Sequence, residues 1–460
     1  SSIGRPTGNT KWCGERRGVL GVAPHYSRFN STCSFPQSLC AHRDSCDKRM
    51  DSEAESRHLA FRAHGRHVVT CLLLDSDKIL TGSDDTNINM YDVQTGALQK
   101  IFQGHDGGVW AMKQEGDILV SGSTDRTIRI WSISSGECLH VLRGHTSTVR
   151  CLAILNPATT SDGLVMPERP LIISASRDST LRVWQLPNPD DLPTYQANSS
   201  GDDVSSAYLL NVLTGHQNTI RDIAAHGDTI VSGSFDCTVR VWRISTGQTV
   251  HRLVGHTQNV HTVALDHESR RCVSGSMDNS VKIWCLDTGS CLFTLQGHTS
   301  LVGLLQFSHG FLVSAAADGT LRSWNPDDGT CKTVFSKRGG AITCFQHDSQ
   351  KVIGGSDRTL KMWDINTGEH LRELLSDLTG VWQVQFDERR CVSAVQRNQL
   401  TYIEVCMRQR FSRVSDLSLI GTGFWRAPRW YAGPRTPYRG RRTWMRDRRP
   451  LIDLPPRGEI

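Results

Sequence analysis

The chain has 460 residues, a formal net charge of +6, and 38% apolar and 21% charged residues. That balance supplies a large core and belongs to a globular protein. No apolar run approaches the roughly 18 residues of a membrane span, and no charged, apolar, small-residue order opens the sequence, so neither a membrane partner nor a secretory leader is expected.

Charge is uneven. Residues 1–57 carry nine basic and six acidic side chains, 58–406 carry 30 and 36, and 407–460 carry 13 and four. An acidic middle between basic ends argues against the middle as a general nucleic-acid binder. The 15 cysteines have no paired spacing, and Cys33, Cys40 and Cys46 make a poor zinc pattern. No metal and no cofactor are expected, and reduced thiols fit the nucleus and cytoplasm.

Along the chain, 1–57 shows no helical apolar period and is rich in Gly, Ser, Arg and Cys. It is expected to be disordered. His42-Arg43-Asp44 resembles part of a kinase catalytic loop, but no glycine-rich phosphate loop accompanies it. From residue 58 a repeat begins. Histidines stand at 64, 105, 145, 216, 256 and 298, mostly after glycine, and most steps are 40 to 42 residues. An aspartate follows about twenty residues on and an aromatic residue six after that: His105, Asp125 and Trp131; His216, Asp236 and Trp242; His256, Asp278 and Trp284; His298, Asp318 and Trp324. This period is the signature of a WD40 β-propeller.

Eight blades are predicted over 58–406, in an all-β fold. Six are anchored by the histidines. The seventh keeps Ala341-Ile342-Thr343-Cys344, Asp357 and Trp363, and the eighth runs from Gly380-Val381-Trp382 through Val392 to Val405. Each reads as four short strands with Gly, Ser, Asn and Asp turns. Two polar segments, 156–169 and 186–211, read as surface loops of blade three. A strand near Leu59–Arg62 is expected to pair with the last blade and remove the free sheet edge. The repeated His, Asp and Ser (Ser121 and Ser232, for example) look like catalytic triads. Repetition in most blades reads better as satisfaction of buried polar groups.

In such a disc three positions per blade reach the upper surface. The fifth residue after the histidine gives Val69, Trp110, Arg150, Arg221, His261, Gly303, Thr343 and Trp382. The residue before the turn aspartate gives Asp84, Thr124, Arg177, Phe235, Met277, Ala317 and Ser356. The residue after it gives Thr86, Arg126, Ser179, Cys237, Asn279, Gly319 and Arg358, with Gln396 and Arg397 in blade eight. Arg126, Arg150, Arg177 and Arg221 fall on three adjacent blades, flanked by Trp110 and Trp382. Converging guanidiniums suit a phosphate dianion, and flat indoles suit proline. The columns therefore predict a phosphorylated, proline-containing peptide as ligand.

Several stretches carry a resemblance: GHDGGVWAM at 104–112, SGSTDRTIRIW at 121–131, GHTSTVRCL at 144–152 and SASRDSTLRVW at 174–184. They resemble the cell-division-control F-box/WD40 proteins, substrate receptors of SCF-type ubiquitin ligases, over roughly 58–406. The resemblance implies a non-catalytic receptor for phospho-Thr/Ser-Pro degrons. It puts the phosphate contacts on Arg126, Arg150, Arg177 and Arg221, the proline walls on Trp110 and Trp382, and a hydroxyl contact on Thr124. Phe235 stands where the family tends to have tyrosine, and Arg397 is a looser match that could support phosphate.

The family's F-box has no counterpart in 1–57, so the ligase adaptor and cullin are expected as partners only if such a region is supplied. The Arg-rich 407–460 also falls outside the resemblance. The ends are expected to be disordered tails or artefacts of an incorrect gene structure. RNA binding by the Arg- and aromatic-rich 423–449 is weighed against a plain unstructured tail, and the tail is preferred. The rival readings are a generic WD40 scaffold and an F-box-less degron decoy.

Overall fold

A computed structural model describes residues 57–159, 163, 165–187, 207–335 and 340–407. The tails, Cys33, Cys40, Cys46, His42-Arg43-Asp44 and the candidate RNA-binding stretch lie outside the described residues.

Among the described residues the strands form eight four-stranded antiparallel sheets and one two-stranded hairpin. In the first seven blades the four strands follow in chain order, spanning 69–102, 109–142, 149–213, 220–254, 260–295, 302–335 and 342–375. Blade eight is composite. Three strands come from 380–407, and its outermost strand is Arg57–Arg62. That strand pairs with Leu400–Met407 from Arg57↔Met407 to Arg62↔Tyr402, as the sequence predicts. Each innermost strand packs against the next, and the last, Gly380–Phe386, packs against the first, Val69–Leu74. The eight-bladed ring is closed.

The core sits between blades. The second strands are almost wholly buried, as in Ile118–Ser123 and Leu171–Ser176, whereas outer strands such as Leu98–Phe102 are half exposed. Side chains on the two faces of a central strand therefore enter two different cores. Met90 and Phe102 of blade one pack with Met112 and Trp131 of blade two, and the pattern recurs around most of the disc. Among the described residues, the first blade-three insertion contributes the hairpin Ala158–Thr159 with Val165–Met166.

The repeated polar residues lock each blade. Trp131 Nε1–H donates to Ser121 Oγ (2.8 Å), the hydroxyl donates to His105 Nε2 (2.8 Å), and His105 Nδ1–H donates to Asp125 (2.6 Å). Tryptophan can only donate and aspartate can only accept, so the direction of the chain is fixed. Burial holds the His105 imidazole below its ordinary pKa despite Asp125. Burial pushes the Asp125 carboxyl up, but the bonds from His105 and Thr127 outweigh it and leave it far below the carboxylate range. The same network occurs at His145, His216, His256 and His298. With Ser121, Ser174, Ser232, Ser274 and Ser314 all at 0% exposure, these groups hold the blades together. Blade seven has Gly354 at the serine position, and Trp363 Nε1 is left without an acceptor among the described residues.

The glycine before four of the histidines has its own cause. Gly104, Gly144, Gly215 and Gly297 have φ between 146° and 155°. A Cβ there would lie 2.5–2.7 Å from Nη1 of Arg129, Arg182, Arg240 or Arg322. These arginines, on the third strand of each blade, approach the glycines closely, and Arg129 and Arg240 also cover the rings of Trp131 and Trp242 at 5.8 and 5.7 Å. They are packing residues, as their distance from the surface columns implies.

Candidate functional site

The upper surface is built by a backbone device. In all eight blades the pairing of the first and second strands shifts by one residue near its start. The residue left unpaired is Thr70, Trp110, Arg150, Arg221, His261, Gly303, Thr343 or Trp382. A bulge releases one side chain from strict alternation and re-aims it. This is the first sequence column, with one correction: blade one contributes Thr70, not Val69. Its histidine loop is one residue longer, so Val69 pairs with Ser83 and is fully buried.

A second device joins the columns. The residue before the turn aspartate donates its backbone N–H to the carbonyl two residues before the bulge: Thr124 to Gly108 (3.0 Å), Arg177 to Thr148 (3.0 Å), Phe235 to Thr219 (2.9 Å) and Met277 to Asn259 (2.9 Å). Arg177 is thereby tied beside Arg150, and Phe235 beside Arg221. In blades one to six the residue after the aspartate is left-handed, including Arg126 at φ 73°, a conformation that non-glycine residues adopt only when their surroundings impose it.

The cluster that results spans blades two to five. The Arg150 guanidinium lies 4.9 Å from the Trp110 ring centroid, which fixes its direction. Burial, together with the Arg177 charge, pushes Arg150 down to about 10, despite Cys151. Burial alone brings Arg221 to about 10, opposed by the Asp222 carboxylate. Asp222 is itself committed to the next blade, accepting from Thr262 Oγ1 and Val263 N at 2.9 Å each. Beside them the His261 ring lies 5.0 Å from Phe235. Arg126, Arg177 and Thr124 are exposed. Among the described residues no carboxylate pairs with Arg126, Arg150 or Arg177.

The structure thus brings Trp110, Arg150, Arg177, Arg221 and Phe235 together, with Arg126 and Thr124 at the turn of the Trp110 blade. Trp382 occupies the bulge of blade eight, half buried over the core between blades eight and one. Arg397 is placed otherwise. Its Nε donates to the buried Glu404 (2.8 Å) and its Nη1 to the carbonyls of Ser376 (2.9 Å) and Asp377 (3.3 Å). Its guanidinium belongs to ring closure. The residue passed over by sequence reasoning is His261. The column contained it, but nothing in the sequence showed that it faces two arginines.

The family description "WD domain, G-beta repeat" matches residues 56–92, 96–132, 136–185, 207–243, 247–285, 289–325 and 329–364. The chain belongs to this WD40 family. It is 47% identical over 355 residues to "Cell division control protein 4" of Candida albicans, covering 76% of this chain and 52% of that protein. It is 40% identical over 371 residues to "WD repeat-containing protein pop1" of Schizosaccharomyces pombe, covering 76% and 48%. The chain spans about half the length of these relatives. Among solved structures, the computationally designed Ika8 protein superposes with a TM-score of 0.62 at 29% identity, covering 75% of this chain and 98% of that one.

Proposed function

We propose that this WD40 propeller is a non-catalytic receptor for phospho-Thr/Ser-Pro peptides, acting as the substrate-recognition part of an SCF-type ubiquitin ligase in the nucleus and cytoplasm. The observation that carries the reading is the placement of Arg150 and Arg221 at the bulges of adjacent blades, both desolvated, with the Arg177 charge acting on Arg150. Guanidiniums withdrawn from water raise the free energy of the empty site. A dianion returns it, and does so better than a single carboxylate. Trp110 and Trp382 supply apolar walls, and Phe235 a third ring without a hydroxyl. The similarity to cell division control protein 4 supports the ligase assignment. Adaptor and cullin would require an F-box, and the described residues, which form the propeller, do not contain one.

The test is a titration of the full chain with a Thr-Pro peptide, phosphorylated and unphosphorylated. Strong preference for the phosphorylated form is expected. A charge-assisted hydrogen bond is worth about 1.5–3 kcal/mol, so Arg177→Ala should weaken binding by about ten- to hundredfold. Equal binding of both peptides would reduce the cluster to surface charge and leave a phosphate-independent scaffold.

A further inference from the structure

His261 is the fifth bulge residue of the ring, and its neighbours are an unusual set for a histidine. One face lies toward Phe235, centroids 5.0 Å apart at 36°. Its Nε2 is buried and has no hydrogen-bond partner among the described residues. Arg221 from blade four and Arg150 from blade three both act on it electrostatically. The remaining charged groups nearby are already committed. Asp222 is bonded to Thr262 and Val263, Asp236 to His216, and Asp278 to His256. The following blade offers Gly303 and Ala317 at the corresponding positions, neither of which titrates. The charges that act on the imidazole are therefore those of two arginines, and these three carboxylates are already bonded elsewhere.

We propose that His261 is a proton-uptake residue of the anion site: neutral while the site is empty, it takes a proton from solvent when a phosphate dianion is held by Arg150 and Arg221, and then donates through Nε2 to that phosphate.

This rests on the phosphopeptide reading above. The empty site opposes protonation threefold: burial first, then Arg221, then Arg150 bring the imidazole down to about 3. A bound dianion offsets the two arginine charges, which are the second and third of those contributions. The unpaired Nε2 is the donor site: a neutral ring carries one N–H on either nitrogen, and protonation places a hydrogen on Nε2 whichever tautomer preceded it. Balance is simple: one proton leaves solvent and one N–H bond forms, with no change in oxidation state. Linkage then fixes the sign. A complex that binds more protons than its free components tightens as pH falls. The tightening ends near pH 6, about where a phosphate monoester itself takes up a proton.

The experiment is calorimetric titration of the full chain at neutral pH with a phospho-Thr-Pro peptide, in buffers of different ionisation heat. The dependence of the observed heat on buffer gives the protons taken up. Net uptake is expected for the wild type and near-zero uptake for His261→Gln and for His261→Phe, which keeps the ring contact with Phe235 but has no nitrogen. Thermal melts show that the variants are folded. Equal proton uptake in wild type and both folded variants, with the phosphopeptide bound by all three, overturns the proposal while leaving the receptor reading intact. Failure of the wild type to prefer the phosphopeptide defeats that reading, and this proposal with it.

Discussion

Arg177 and Arg240 stand on adjacent blades and carry the same charge, yet their surroundings assign them opposite roles. Arg240 lies over Trp242, and its Nη1 would meet any Cβ placed on Gly215 at 2.7 Å. Arg177 is exposed, tied by its backbone to Thr148 and coupled in charge to Arg150. Arg240→Ala is expected to lower the melting temperature, losing a cation–ring contact worth about 0.5–1 kcal/mol and the packing beneath it, with phosphopeptide affinity unchanged. Arg177→Ala should do the reverse. A melt and a titration on both variants decide it, and equal affinity losses would mean that stability was being read in both. Periodicity separates the two arginines in sequence because one falls in a surface column and the other opposite the buried serine. It does not reveal the influence of Arg150 and Arg221 on His261, which depends on how three successive blades pack against one another.

At the scale of the element, blade eight differs most from the repeat. It has no histidine network, and Glu404 takes over. At 2% exposure Glu404 accepts from His58 of the closing strand (2.9 Å) and from Arg397 (2.8 Å). Burial raises the Glu404 pKa, but the bonds from His58 and Arg397 outweigh it, and the net shift is downward. A carboxyl lowered in the folded state contributes stability that is present above its unfolded pKa of about 4.3 and lost as pH falls through the folded value. Glu404→Gln should therefore cost about 1–3 kcal/mol near neutral pH and flatten the acid limb of the stability profile. A variant whose midpoint still falls with acid as steeply as the wild type would exclude Glu404 as a cause. Blades six to eight add glutamine clamps. Gln346 pairs with both backbone groups of Phe386 (2.7 and 3.3 Å), Gln306 does the same with His347 one blade before, and Gln385, one blade after, accepts from the Leu74 N–H and donates to the Leu72 carbonyl. These clamps were not legible in the sequence. A glutamine on a strand carries no signal of which backbone it reaches, and the two-residue turn Asn398-Gln399 that aims Arg397 at Glu404 lacks the aspartate by which the other turns are aligned.

For the whole molecule, closure is the decisive event. The blades were readable because spacing, turn residues and buried aromatics agree with one another through most of the repeat, and the strand near Leu59–Arg62 because an eighth blade otherwise lacks its fourth strand. Removing Arg57–Arg62 would leave the eight-residue strand Leu400–Met407 as an open edge facing solvent. Deletion of residues 1–62 is expected to lower the melting temperature and to promote association through that edge. Calorimetry and size-exclusion chromatography report both, and a truncated chain as stable and as monomeric as the parent would show that the composite blade is dispensable.

The eight bulges have a consequence for how such a face can change. A residue outside the ladder can be exchanged without disturbing the register of the blade that carries it. Thr70 and Thr343 use that freedom to bond the neighbouring blade, each donating to Gly82 or Gly355 of its own blade and to Val109 or Val381 of the next. Gly303 leaves its position open, with nothing within 4 Å of where a Cβ would stand. The disc thus resembles a dial with eight settings, each altered by one substitution. Moving an arginine from one setting to the next would rotate the recognition site around the axis while the scaffold beneath stayed as it is.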